Sequence, residues 1–211
     1  MKHSLSLITA TFLLGGATHL FAASSVDLAV KGIITPAACT PSLSGGGVVD
    51  HGKISIQDLS NSTGTWLPEA TLQLSVVCDG ATLMALKSTD NREGTAWFNG
   101  YVTASYFGLG MTADNWMPGA YSLVMKNTTV EGASVPVVES GEGNTWFPVY
   151  GDLWQPGWLR AVAAPNSPDN LPIAIQNLTT DVVIATIVRK PTRLTEDLPL
   201  DGSATVDIVY L

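Results

Sequence analysis

Apolar and polar residues alternate with a period of two over much of this chain. In TLQLSVVCD, Leu72, Leu74, Val76 and Cys78 fall on one face while Thr71, Gln73, Ser75 and Asp79 fall on the other, the pattern of a strand with one buried side. SVDLAVKGII repeats it through Val26, Leu28, Val30, Gly32 and Ile34, and the closing GSATVDIVYL sets Ala204, Val206, Ile208 and Tyr210 on one face. VVDHGKISI, TLMALKS, AYSLVMKN, TWFPVYG, LPIAIQNL and VVIATIVRK read as further strands. Between them stand SGGG at 44–47, DNREG at 90–94, ADNWMPG at 113–119, ESGEGN at 139–144 and APNSPDN at 164–170, whose Gly, Pro, Asn and Asp residues punctuate strands through their turn chemistry. No window of helical length carries a clean apolar stripe, so the pattern predicts an all-β domain, a sandwich or a barrel.

The first residues, MKHSLSLITATFLLGGATHLFAAS, carry a basic start at Lys2, an apolar stretch from about Leu5 to Leu14 and a small-residue exit at Ala22 and Ala23. This is the form of a secretory signal peptide over residues 1–22, and the stretch is shorter than the roughly 20 residues that span a bilayer. Cleavage after Ala22 leaves residues 23–211, a length that suits one large β domain better than two.

Export gives the two cysteines a meaning. Cys39 and Cys78 both lie in the mature portion, where an oxidising compartment turns a thiol pair into a disulfide. A metal site is the competing use, but His51 is the one histidine after Ala22, and two cysteines with one histidine fall short of a four-ligand zinc set. The formal net charge of −8 argues against nucleic acid or an anionic membrane surface as partner, since both need a basic face.

No catalytic constellation and no cofactor motif emerges. His51 lies on a predicted strand without a positioned nucleophile, and the acidic pairs Glu196 with Asp197 and Asp90 with Glu93 read as solvated turn charges. Trp97, Trp116, Trp146, Trp154 and Trp158 crowd the middle of the chain. Trp116, Trp154 and Trp158 are candidates to stack on a host glycan, although large aromatics in a β domain more often fill its core.

Several segments, in order, resemble the pilin subunits of chaperone-usher fimbriae. VKGIITPAAC looks like the first pilin strand running into its cysteine, VVDHGKIS like the second strand, LPEATLQLSVVC like the strand with the second cysteine, and DGSATVDIVYL like the terminal strand. CTPSL at 39–43 and DNREG at 90–94 bring the chain closer to a group of pilin-like exported proteins of unknown function. The likeness covers roughly residues 26–60, 67–94 and 196–211, leaving an enlarged middle region at about 95–195.

The resemblance implies an immunoglobulin-like (pilin-type) β-sandwich that lacks its final strand and is completed by a donor strand. Ala204, Val206, Ile208 and Tyr210 would then line the acceptor groove, and the carboxylate of Leu211 would anchor a periplasmic pilus chaperone. An outer-membrane usher and other fimbrial subunits would be further partners, with passage through the periplasm to a fimbrium at the cell surface. Val26, Leu28 and Val30 are a candidate donor segment, short by the standard of polymerising pilins; a subunit that accepts but does not donate would sit at a fibre tip and serve adhesion. The alternative is a self-sufficient periplasmic or secreted carbohydrate-binding sandwich built around the tryptophans.

Overall fold

A computed structural model describes residues 30–31, 38–194 and 196–211. The signal-peptide residues 1–22 and the candidate donor positions Val26 and Leu28 lie outside the described residues, and Val30 is exposed. Every strand described belongs to the unit Thr35–Leu211.

In chain order the strands are β1 (Cys39–Leu43), β2 (Thr65–Trp66), β3 (Ala70–Asp90), β4 (Trp97–Phe98), β5 (Tyr101–Val102), β6 (Phe107–Gly108), β7 (Gly119–Val130), β8 (Ala133–Ser134), β9 (Val137–Ser140), β10 (Phe147–Pro148), β11 (Leu153–Trp154), β12 (Leu159–Val162), β13 (Ala174–Val188) and β14 (Ala204–Tyr210). The only helical turns among the described residues are two short 3-10 segments, Ser44–Gly47 and Ile56–Asp58. The fold is therefore all-β and sandwich-like, with the strand pairings among the described residues antiparallel and the sheet path running β10-β9-β12-β3-β13-β7-β11.

β3 is what makes one curled path into two layers. Its first half pairs with β1 and with β13, whereas its second half pairs with β14 and β12. The register against β13 jumps between Ile175, opposite Thr82, and Asn177, opposite Val77. The extra residues on β3, Cys78 to Ala81, make a bulged corner, the device by which a strand bends from one sheet into another. TLQLSVVCD and TLMALKS are thus one strand of 21 residues, and LPIAIQNL and VVIATIVRK likewise merge into β13.

Two other expectations are corrected. VVDHGKISI forms no strand; its residues run as an irregular segment into the Ile56–Asp58 turn. Gly52, at φ +63, shows why, since a left-handed residue breaks the pleat. TWFPVYG yields only the two-residue β10. The enlarged middle region is no appendage: it supplies β4 to β13, of which all but the separate β4–β5 pair belong to the main sheet.

The alternating faces end where they were expected. Leu74, Val76 and Cys78 are buried, as are Met84 and Leu86 beyond the corner, and they share the main core with Phe107, Tyr121, Leu123, Val162, Val182 and Ile184. A second cluster of Ala85, Val138, Trp146, Leu159, Ala161 and Ala163, joined by Val209, packs on the opposite face of the β14-β3-β12-β9 layer. That second side is covered only in part, since the cross-strand pairs Thr205 with Thr89 and Asp207 with Lys87 stay exposed on it. The hairpin from β7 to β8 turns on Glu131 (φ 50) and Gly132 (φ 81), the two positive angles of a type I′ turn.

Cys39 and Cys78 stand opposite each other in the β1–β3 register and are disulfide-bonded. The bond pins the edge strand to the corner of β3. Closing a loop with a sequence separation of 39 restricts the unfolded chain by an amount worth about 4 kcal/mol. The double variant Cys39→Ala/Cys78→Ala is expected to lose up to about that much stability, read as a lower urea midpoint with a larger m-value, because the unfolded chain without its cross-link exposes more surface.

Candidate functional site

β14 has one partnered edge. Its residues pair with β3 from Ala204 opposite Asp90 to Tyr210 opposite Met84, and no strand lies along its other edge among the described residues. Val206 and Ile208 pack against the main core from one face yet remain only half-buried, while Val209 packs on the second cluster from the other. Tyr210 is exposed, and its hydroxyl accepts a hydrogen bond of 3.1 Å from the Cys39 N–H, tying the far end of β14 to the start of β1. The Leu211 N–H donates to the Leu83 carbonyl at 3.1 Å.

Between β1 and the first half of β14 runs an open groove of about 280 Å3. Leu43, Gly47 and Val49 form one wall and Ala204 and Val206 the other, and the floor consists of Tyr121, Leu123, Val182 and Ile184. The floor residues belong to the main core, so the groove exposes the interior of the sandwich along an unpaired strand edge. Burial, reinforced by nearby Asp90, pushes the Tyr121 phenol far above its ordinary range, which keeps it neutral and the groove floor uncharged. Of the sequence-predicted residues, Ala204 and Val206 line the groove, whereas Ile208, packed on the core, and Tyr210, bonded to Cys39, are not part of its lining.

The DNREG turn fixes the entry to β14. Asn91 Nδ2 donates to the Ser203 and Thr205 hydroxyls at 3.0 Å each, and the Asn91 N–H donates to the Ser203 carbonyl. The Arg92 guanidinium grips the Asp201 carboxylate at 2.9 Å, which holds that carboxyl below its usual range. Asp90 turns inward, accepting from the Arg92 and Gly108 N–H groups. Gly202 lies so close to the floor that a Cβ there would stand 2.9 Å from the Tyr121 ring and 3.1 Å from Leu109. In the sequence DNREG marks a turn, with Asp90 and Glu93 expected as solvated charges; the structure instead directs Asp90 to backbone N–H groups and Asn91 and Arg92 to the entry of β14.

At its upper end the groove opens into a wider cleft of about 600 Å3, with Val49, His51 and Leu200 common to both. His51 Nε2 lies 3.0 Å from the Thr186 hydroxyl, so it is a hydrogen-bonded wall residue and not part of the predicted strand. Arg189, which no sequence signal marked, sits with its guanidinium carbon 4.6 Å from the Trp97 ring centroid and 4.7 Å from that of Trp116.

The three candidate sugar-stacking tryptophans are not brought together as a surface. Trp154 is fully buried, its Nε1 donating to the Trp158 carbonyl at 2.9 Å, and it drops out of any external site. Trp158 packs half-buried on the same core, and Trp116 lies half-buried against Arg189. Glu196 and Asp197 are exposed, and Asp90 is spent on backbone N–H groups.

Residues 28–101, which include both cysteines and all of β3, match a family described as "Protein of unknown function (DUF1120)". Two relatives come from Escherichia coli (strain K12). "Uncharacterized protein YhcF" is 25% identical over 221 residues, spanning 90% of this chain and 92% of its own. "Protein GltF" is 28% identical over 233 residues, spanning 89% of each. The chain is thus similar to this family across its disulfide-bonded first strands and, at low identity, to both relatives over nearly their whole length.

Proposed function

We propose that this protein is a non-catalytic, exported pilin-like subunit whose groove beside β14 accepts a β-strand from a partner polypeptide. The observation that carries the reading is the unpaired edge of β14 alongside a groove floored by core side chains. An incoming strand would gain backbone hydrogen bonds from that edge and bury alternate apolar side chains against Leu123, Val182 and Ile184, the mode of recognition called β-augmentation. An open edge is also an aggregation hazard, which gives a periplasmic chaperone its task. The chaperone's strand would occupy the groove first and a strand from another fimbrial subunit would replace it, with assembly through an outer-membrane usher and a minor or tip position serving adhesion. The disulfide supports passage through an oxidising compartment.

The test is capture. Co-expressed in a periplasm with a pilus chaperone, the mature chain is expected to co-purify as a one-to-one complex, and Val206→Asp, which sets a charge in the groove wall, is expected to abolish it. A chain that accumulates as a stable monomer and ignores both chaperone and substitution contradicts the proposal.

A further inference from the structure

We propose that the 600 Å3 cleft at the head of the groove binds a saccharide bearing a carboxylate group, with Arg189 as the receptor for that carboxylate. The inference is independent of strand acceptance.

Arg189 is prepared for an anion. Its backbone N–H donates to the Pro118 carbonyl at 2.8 Å and its Nε to the Met117 carbonyl, while the Trp97 and Trp116 rings hold the plane of the guanidinium. Its rotamer freedom is therefore largely lost before a ligand arrives, so little ordering cost remains at binding. Burial lowers its pKa, the sign that its charge is short of solvent. The ion pairs among the described residues are Arg92 with Asp201 and Arg160 with Glu139; Arg189 has no carboxylate partner there. A half-desolvated guanidinium with free terminal nitrogens gains most from a bidentate carboxylate.

The remaining walls select the rest of the ligand. Lys53 and His51 add donors, and Asp50 and Asp197 add acceptors. A polyanion such as a nucleotide would meet those two acids, whereas a ligand with one carboxylate and several hydroxyls would use them as hydrogen-bond acceptors. Ile54, Pro118 and Pro199 supply apolar surface for the C–H faces of a sugar ring, and the volume falls within the 300–1,000 Å3 range usual for small-ligand sites.

The experiment titrates the full, oxidised mature protein with galacturonate, galactose and succinate, following tryptophan fluorescence and the indole N–H resonances. Galacturonate is expected to give saturable changes, with galactose and succinate at least tenfold weaker. Arg189→Gln should weaken galacturonate at least tenfold. Because Arg189 also packs on two rings, Asp197→Asn serves as a second variant: Asp197 is exposed, and asparagine keeps an acceptor oxygen for a hydroxyl while removing the charge that repels the ligand's carboxylate, so galacturonate should tighten severalfold and galactose should not. No saturable response to galacturonate, an equal response to galactose or succinate, or affinities unmoved by both substitutions would overturn the proposal.

Discussion

Extending the chain beyond Leu211 with a flexible linker and an alternating apolar segment raises the thermal midpoint by about 10 °C over a neutral tail of equal length. The size follows from the groove. Three or four apolar side chains removed from water contribute about 1.5–3 kcal/mol each, part of which is offset by ordering the new strand. For a domain of this size each net kcal/mol moves the midpoint by about 2–4 °C. Val206→Asp together with Ile208→Asp is expected to cancel the gain, since carboxylates buried without partners are costly. Val206→Asp alone separates groove occupancy from general damage: it should reduce the gain of the extended chain far more than it lowers the midpoint of the unextended one, because Val206 is only half-buried there.

Glu139→Gln is expected to destabilise the domain by about 3–5 kcal/mol. Arg160 of β12 is 1% exposed, yet it points into the protein, where its terminal nitrogen lies 3.0 Å from the Glu139 carboxylate and 2.7 Å from the Leu153 carbonyl. Burial disfavours its charge, and Glu139, followed by Asp152, opposes that effect. Its Nε has no hydrogen-bond partner, so the arrangement already carries one unsatisfied donor. Removing the carboxylate strands the whole charge, whereas Arg160→Met combined with Glu139→Gln removes the charge as well. The double variant should therefore recover much of the loss, and urea unfolding of both single variants and the double measures the coupling. A Glu139→Gln variant as stable as the parent would show that Arg160 is held by its carbonyl contact alone.

The first half of β3 and β14 were legible in the sequence through their period of two, whereas β7 and β13, with consecutive buried residues such as 119–123, were legible as short apolar runs bounded by turn residues. The corner of β3 was not legible. Asp79 and Gly80 carry a turn signature, and only the tertiary pairing with β1 and β13 turns that signature into a bulge within one strand. VVDHGKISI misled for the opposite reason: its apolar residues face a cleft and a groove wall and not a neighbouring strand. The cysteines gave the disulfide directly, and the terminal strand gave half of the groove. The floor could not be read, since Tyr121, Leu123, Val182 and Ile184 come from β7 and β13, whose order in the sheet is a property of the fold. Arg189 was hidden by the same kind of distance, its two aromatic partners lying far behind it in the chain.

Amide hydrogen exchange over Ala204–Tyr210 tests the open edge of β14 most directly. In an antiparallel edge strand alternate N–H groups point toward the partner and away from it. In the isolated chain, the amides directed at β3 should be protected and those directed outward should exchange rapidly; with the donor segment appended, both sets should become slow. Uniform protection in the isolated chain, unchanged by the donor, would show that β14 is already paired on both sides and that the groove accepts no strand.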